Sequence, residues 1–229
     1  MTYIFEPPRR ASVAIKGSDD RFPVHRIYCI GKNYAEHTRE MGGDPKLDPP
    51  CYFSKPADAV IEDGATIAYP QGTSNLHHEI ELVVALKSGG KDISIEDASD
   101  RIFGYAVGLD LTRRDLQKMA KGAGGPWDIA KGFDGSAPIS AIIPKQGASL
   151  SESSIIELSV NGEKRQSGTI GDLIWSIEEI ISALSKLYEL CPGDLIYTGT
   201  PAGVAALKPG DHVEGSISGV GSLTLNIEP

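Results

Sequence analysis

Hydrophobic and polar positions alternate over short spans and rarely keep helical spacing for long, a pattern that predicts many short strands and few helices. Arg26 to Ile30 alternates and reads as a strand. The stretch NYAEHTREMGG then supplies helix formers stopped by Gly42-Gly43, predicting a helix of about two turns. Val60-Ile61 and Thr66-Ile67 flank a turn around Asp63-Gly64. Glu79 to Leu86 begins polar and becomes continuously apolar, the mark of a strand covered on both faces, and Arg101 to Leu109 reads as another strand. Thr112 to Ala120 looks helical, with Thr112 and Asp115 at capping-box spacing and KGAGGP ending the helix. Ile156, Leu158 and Val160 alternate up to Asn161-Gly162, a strong hairpin signal. Ser176 and Glu179 fit a capping box that opens the one long helix, where Ile177, Ile180, Ile181, Leu184, Leu187 and Tyr188 keep helical spacing. Short strands return between two Pro-Gly-Asp turns, Pro192 to Asp194 and Pro209 to Asp211.

No low-complexity tract and no linker separates two hydrophobic cores. The expectation is an N-terminal arm over residues 1–25 and a single β-rich α+β domain over 26–229. At 229 residues one substantial core is within reach, and 26 Gly with 15 Pro agree with frequent turns. The chain carries 31 acidic and 22 basic residues, a net charge of −9, with no basic cluster beyond Arg9-Arg10 and Arg113-Arg114. That balance repels phosphate backbones and anionic lipid, so neither nucleic acid nor a membrane is an expected partner. Cys29, Cys51 and Cys191 are widely spaced and form no CxxC pair, which reads as reduced thiols. The N-terminus lacks an apolar leader core, and runs such as Leu82 to Leu86 are far too short to span a bilayer. A cytoplasmic location is expected.

Glu79 and Glu81 are two residues apart in a predicted strand, so both carboxylates point to one face, with Cα atoms about 6.6 Å apart. An isolated pair of this kind reads as a solvated strand face. Here the buried run that follows makes unpaired carboxylates costly unless a cation compensates them. Asp110 closes another apolar strand, where alone it would be a turn residue. Together the three offer hard oxygen ligands without thiolate, which favours Mg2+, Mn2+ or Ca2+ over zinc and leaves coordination positions for water and substrate. His37 and Glu40 are i, i+3 on the short helix, either an exposed surface pair or a carboxylate holding an imidazole as a general base. Lys131, in PWDIAKGFD, and the TGTP turn at Thr198 to Pro201 carry no chemistry on their own. His77 and His78 are either supports for the carboxylates or ordinary strand residues.

Six motifs in this order, GKNYAEH, EIE, GLDLTRRDLQ, PWDIAKGFD, PGDLIYTGTP and the last PGD turn, resemble the fumarylacetoacetate hydrolase family from about Arg26 to the C-terminus. The likeness is greatest to its fumarylpyruvate hydrolase and acylpyruvase members. It implies a rolled, mixed β-sheet with a few short helices, usually a homodimer. It also implies metal binding by Glu79, Glu81 and Asp110, with Mg2+ or Mn2+ as the ion and Ca2+ as a substitute. A His37–Glu40 dyad would activate water, Lys131 would be catalytic, and Arg114, Gln117 and Thr200 would meet substrate. Lys32 stands where many relatives have Arg, which bears on a local anion contact. The activity implied is metal-dependent hydrolysis of the C–C bond of an acylpyruvate, a small 2,4-dioxo acid, with fumarylpyruvate giving fumarate and pyruvate in aromatic-compound catabolism. Decarboxylation of oxaloacetate or tautomerisation of a 2-oxo acid would use the same metal site without an attacking hydroxide. A noncatalytic divalent-cation-binding assembly module is the alternative outside enzymology.

Overall fold

A computed structural model describes residues 3–40 and 50–229; the side chains of His37, Thr38 and Glu40 lie outside that description. The larger of two main sheets has eight strands, in the order Cys51–Lys55, Ile27–Gly31, Leu195–Tyr197, Ile80–Leu86, Ile102–Leu109, Ala137–Ile139 and Val60–Glu62, with Ile143–Pro144 also paired to Ile102–Leu109. Leu195–Tyr197 runs parallel to Ile27–Gly31, and Ala137–Ile139 parallel to Val60–Glu62, so the sheet is mixed. The second sheet has five strands, ordered Glu163–Thr169, Ile155–Val160, His212–Ile217, Gly221–Ile227 and Ala65–Ile67. With only short helices beside them, these strands make a rolled, β-rich α+β fold.

The period of two in a strand explains where the core divides. Every residue of Ile80–Leu86 is buried. Ile80, Leu82, Val84 and Leu86 pack with Leu158, Val213, Leu223 and Leu225 of the second sheet. Val83 and Ala85 point the other way, into a separate cluster with Cys29, Ala106, Ile139 and Tyr197. A small hairpin, Ser12–Ala14 with Arg21–Pro23, covers that second cluster with Val13, Phe22 and Val24. Glu79 and Glu81 share the parity of Val83 and Ala85, and Asp110 shares that of Ala106 and Gly108 on the adjacent strand. The three carboxylates therefore continue the rows of the second cluster, at one end of the sheet.

Local signals act where the tertiary structure does not override them. The Ile177–Leu187 helix carries the expected box: Ser176 Oγ accepts the Glu179 N–H at 3.2 Å, and the Glu179 carboxylate accepts the Ser176 N–H at 2.8 Å. Its apolar face buries Ile180, Ile181 and Leu184. Asn161 and Gly162 take positive φ angles of 52° and 77°, as a two-residue hairpin turn of this sequence requires. In the Pro-Gly-Asp turns, Asp194 and Asp211 each accept a backbone N–H from three residues earlier, at 2.8 and 2.7 Å.

One expected turn takes on a further role, and one expected helix changes. The turn at Asp63-Gly64 joins layers, because Val60–Glu62 pairs with Ala137–Ile139 in one sheet and Ala65–Ile67 with Gly221–Ile227 in the other. The helix expected from Thr112 begins at Arg114 and has no capping box. Thr112 instead pairs with His77, and Asp115 accepts from the Thr73 hydroxyl and the Ser74 N–H. Both capping side chains are claimed by partners distant in sequence. The helix ends at Ala123, where Gly124 at φ 65° lets its N–H reach the Ala120 and Lys121 carbonyls. The short helix after Gly31 spans Ala35–Glu40, and its expected Gly42-Gly43 stop lies outside the described residues. Among the described residues no helix is long and apolar enough to cross a membrane.

Candidate active site

Glu79 and Asp110 face each other across adjacent antiparallel strands, the Asp110 N–H donating to the Glu79 carbonyl at 2.8 Å. Glu81 lies one pleat further in, opposite Gly108. The opposing residue has to be glycine: a Cβ there would stand 2.5 Å from Val83 Cγ2 and 2.6 Å from Tyr197 Cε1. Glu79, Glu81 and Asp110 are all buried, and one carboxylate oxygen from each falls within 4.8 Å of the others.

Lys131, Lys55 and Arg114 bring positive charge to this acidic cluster. Lys131, 2% exposed, uses all three ammonium hydrogens, on Glu79 Oε2 at 2.7 Å, Asp110 Oδ2 at 2.5 Å and Thr112 Oγ1 at 2.7 Å. Burial alone would pull its pKa down; the Asp110 and Glu79 charges more than reverse that, so it stays protonated. Lys55 Nζ lies 2.9 Å from Asp110 Oδ1, a charge contact without hydrogen-bond alignment, and donates to the carbonyls of Leu111 and Lys131. Arg114 pairs with Glu79, donates to Gln117 Oε1, and reaches His77 Nδ1 at 3.3 Å. His77 is pushed down to about 4, by burial first and then by Arg114, so it accepts as a neutral ring. Gln117, engaged through its oxygen, lines the pocket.

Glu81 differs from the other two carboxylates. Among the described residues no lysine or arginine forms an ion pair with it, and its Oε2 accepts only the Gly199 N–H, at 2.8 Å. Burial, then the neighbouring Asp110 and Glu79 charges, hold its pKa well above the ordinary carboxylate range. A buried carboxylate in no ion pair with a described lysine or arginine, beside two others at chelating distance, fits a hard divalent ion. The all-oxygen donor set fits Mg2+, Mn2+ or Ca2+ better than zinc.

These groups open into a narrow pocket of about 30 Å³, walled by Phe53 and Trp127, whose rings are 5.7 Å apart, and by Lys32, Gln117 and Thr200. Larger grooves exist elsewhere, including one of about 380 Å³ beside Tyr105 and Ile177, away from this carboxylate trio.

The model of the fumarylacetoacetate (FAA) hydrolase C-terminal family matches residues 26–228. The chain belongs to the fumarylacetoacetate hydrolase family. It is 45% identical over 186 residues to the fumarylpyruvate hydrolase of a Ralstonia species, covering 81% of this chain and 96% of that one. It is 43% identical over 202 residues to the mitochondrial oxaloacetate tautomerase of Homo sapiens, covering 88% and 91%. A crystal structure of fumarylpyruvate hydrolase from Pseudomonas aeruginosa in complex with Mn2+ and pyruvate superposes with a TM-score of 0.96 at 49% identity, over 99% of both chains.

Within this family fold, the structure brings Glu79, Glu81, Asp110, Arg114, Gln117, Lys131 and Thr200 into one pocket. The side chains of the His37–Glu40 pair fall outside the description, although the backbone of their helix follows directly from the pocket wall at Gly31 and Lys32. Sequence reasoning missed Lys55 and Gln166. Lys55 ends the Cys51–Lys55 strand with the parity of Phe53, a weak signal that its side chain shares the pocket face. Gln166, fully buried in an otherwise exposed stretch, holds Thr200. No local pattern marks it.

Proposed function

We propose that this chain is a divalent-metal-dependent hydrolase that cleaves the C–C bond of an acylpyruvate, with fumarylpyruvate giving fumarate and pyruvate. The observation that carries the reading is the charge of the pocket. Glu79, Glu81 and Asp110 are matched by Lys55, Lys131 and Arg114, and Lys32 and Lys121 also line the pocket, so the protein groups leave no negative excess when ionised. A divalent ion makes the pocket more positive still, which suits a dianionic dicarboxylate such as fumarylpyruvate. The names of the relatives at 45% and 49% identity support the same substrate class.

Glu79, Glu81 and Asp110 would hold the metal. When bound, that ion supplies positive charge beside the carboxylate and 2-oxo oxygens of the substrate, where electron density collects as the bond breaks. The chain does the rest. His37, held by Glu40, takes a proton from water, and the resulting hydroxide adds to the distal acyl carbonyl. The bond between the acyl carbon and the pyruvate methylene breaks, its electron pair passes to the pyruvate fragment, and a proton completes pyruvate. Thr200 and the Gln117 amide donate to the oxyanion that develops on the departing pyruvate fragment. Lys131 keeps Glu79 and Asp110 in position and adds positive charge to the pocket.

Oxaloacetate tautomerisation is the second reading, favoured by the relatives of that name at 43% identity. It needs no attacking water. The deciding experiment follows the ultraviolet absorbance of enolic fumarylpyruvate, acetylpyruvate and fumarylacetoacetate, and the enol–keto exchange of oxaloacetate, before and after metal removal. Metal-dependent cleavage lost in His37→Ala, with exchange retained, is the expected result. No metal-dependent loss of any acylpyruvate would defeat the hydrolase reading. The working form is proposed to be a cytoplasmic homodimer, for which light scattering should give the mass of two chains.

A further inference from the structure

Gln166 is completely buried on the second sheet, yet its amide reaches Thr200, which lines the pocket. Between Leu158 and Ser159 the pairing shifts register: Leu158 opposes Gln166 while Ser159 opposes Lys164. Arg165 is therefore the extra residue of a β-bulge, a device that re-aims neighbouring side chains. Gly203, at φ 97°, packs against this bulge so closely that a Cβ would lie 2.1 Å from the Arg165 carbonyl oxygen.

The orientation of the Gln166 amide is dictated by two backbone groups whose roles are not interchangeable. Its Oε1 faces the Ile80 N–H at 3.1 Å, and its Nε2 faces the Pro201 carbonyl at 2.8 Å. A flipped amide would set donor against donor at Ile80 and acceptor against acceptor at Pro201. With the amide so fixed, Nε2 also donates to Thr200 Oγ1 at 2.8 Å. Thr200 must then accept on that side, and its own proton is directed away from Gln166. Among the described residues the Thr200 hydroxyl has no other hydrogen-bond partner. On the opposite side, His78 Nδ1 lies 2.9 Å from the Gln166 oxygen, which can only accept, so Nδ1 carries hydrogen. His78 Nε2 is buried with no hydrogen-bond partner among the described residues, a cost retained at this position.

We propose that Gln166 is a positioning residue: anchored by Ile80 and Pro201, it donates to Thr200 and turns the Thr200 hydroxyl into the pocket as an obligatory donor to a substrate oxygen. His78 completes the relay by donating to the Gln166 oxygen. The assignment rests on the Thr200 role in the proposed function, and it gives the second sheet a direct part in the site.

The test is a double-mutant cycle on the Mn2+-loaded protein. Gln166→Glu keeps the shape, but an ionised carboxylate only accepts, so Thr200 would turn its proton toward residue 166. With Thr200 present, kcat for fumarylpyruvate should fall by about 100-fold, the scale of losing one oxyanion donor, with KM little changed. In Thr200→Val the same substitution should change kcat less than about 3-fold, because residues acting as one unit are strongly non-additive. Thr200→Ser should keep the Gln166 dependence. Equal losses in both backgrounds, or no loss in either, would overturn the proposal. Where Gln166→Glu weakens Mn2+ binding, Gln166→Met, neutral and of similar length, carries the same cycle. Oxalate, a planar mimic of the pyruvate enolate, gives a second readout without turnover: its affinity should show the same non-additivity. An intact oxalate cycle with no acylpyruvate cleaved by the unmutated protein would defeat the hydrolase reading and leave the Gln166 assignment standing.

Discussion

Replacing Lys55 by Met tests the least visible part of the site. The Lys55 and Asp110 side chains are both completely inaccessible, with Nζ 2.9 Å from Oδ1, and the same ammonium serves the Leu111 and Lys131 carbonyls. Methionine fills the stem volume and removes the charge, leaving Asp110 with Lys131 alone and two carbonyls short of a donor. Removing one partner of a buried pair costs about 3–5 kcal/mol. For a chain of this length, about 2–4 °C of melting temperature per kcal/mol then predicts a fall of roughly 6–20 °C without metal. Added Mn2+ should recover part of the loss by supplying Asp110 with another cation. Lys91→Met is the control, since Lys91 and Glu189 are 3.3 Å apart but both about two-thirds exposed at 67% and 65%, where an ion pair contributes little. Calorimetry with EDTA and with Mn2+ measures all three proteins. A Lys55→Met variant that melts with the unmutated protein in EDTA would refute the claim that Lys55 balances the carboxylate cluster.

Metal removal with EDTA should abolish turnover, and Mg2+ or Mn2+ should restore it. At one hundred times its dissociation constant the ion should stabilise the protein by about 2.7 kcal/mol, read as a rise in melting temperature. Gly108→Ala forces a methyl group against Val83 and Tyr197 at 2.5 and 2.6 Å and should cost about 1–3 kcal/mol in urea denaturation. Because Gly108 pairs with Glu81, Mn2+ affinity by calorimetry should fall as well. Ser176→Ala removes the cap of the Ile177–Leu187 helix, whose box lies on the protein surface, and should cost about 1 kcal/mol with kcat unchanged.

The parts of this site that the chain displays locally are those whose geometry follows from one element. Glu79 and Glu81 are legible because two alternate positions of a single strand share a face, and the apolar run after them announces burial. Asp110 is legible as the polar end of the next apolar strand, and the hairpin and long helix are legible from contacts within a few residues. The balancing cations are not. Lys55 comes from a strand near the sheet edge and Lys131 from a short helix after a glycine-rich loop, and they meet only once the sheet has closed. The failed cap at Thr112 has the same origin: a hydroxyl that would serve its own helix is taken by Lys131, at 2.7 Å. Gln166 is the extreme case. Its role depends on a bulge, on a glycine that admits the bulge, and on two backbone groups from other segments, Ile80 and Pro201. The metal ligands can therefore be found from strand periodicity, whereas the groups that set their charge and aim the substrate donors require the assembled fold. Substitutions at Lys55, Gly203 or Gln166 should accordingly perturb a site that their local sequence does not reveal.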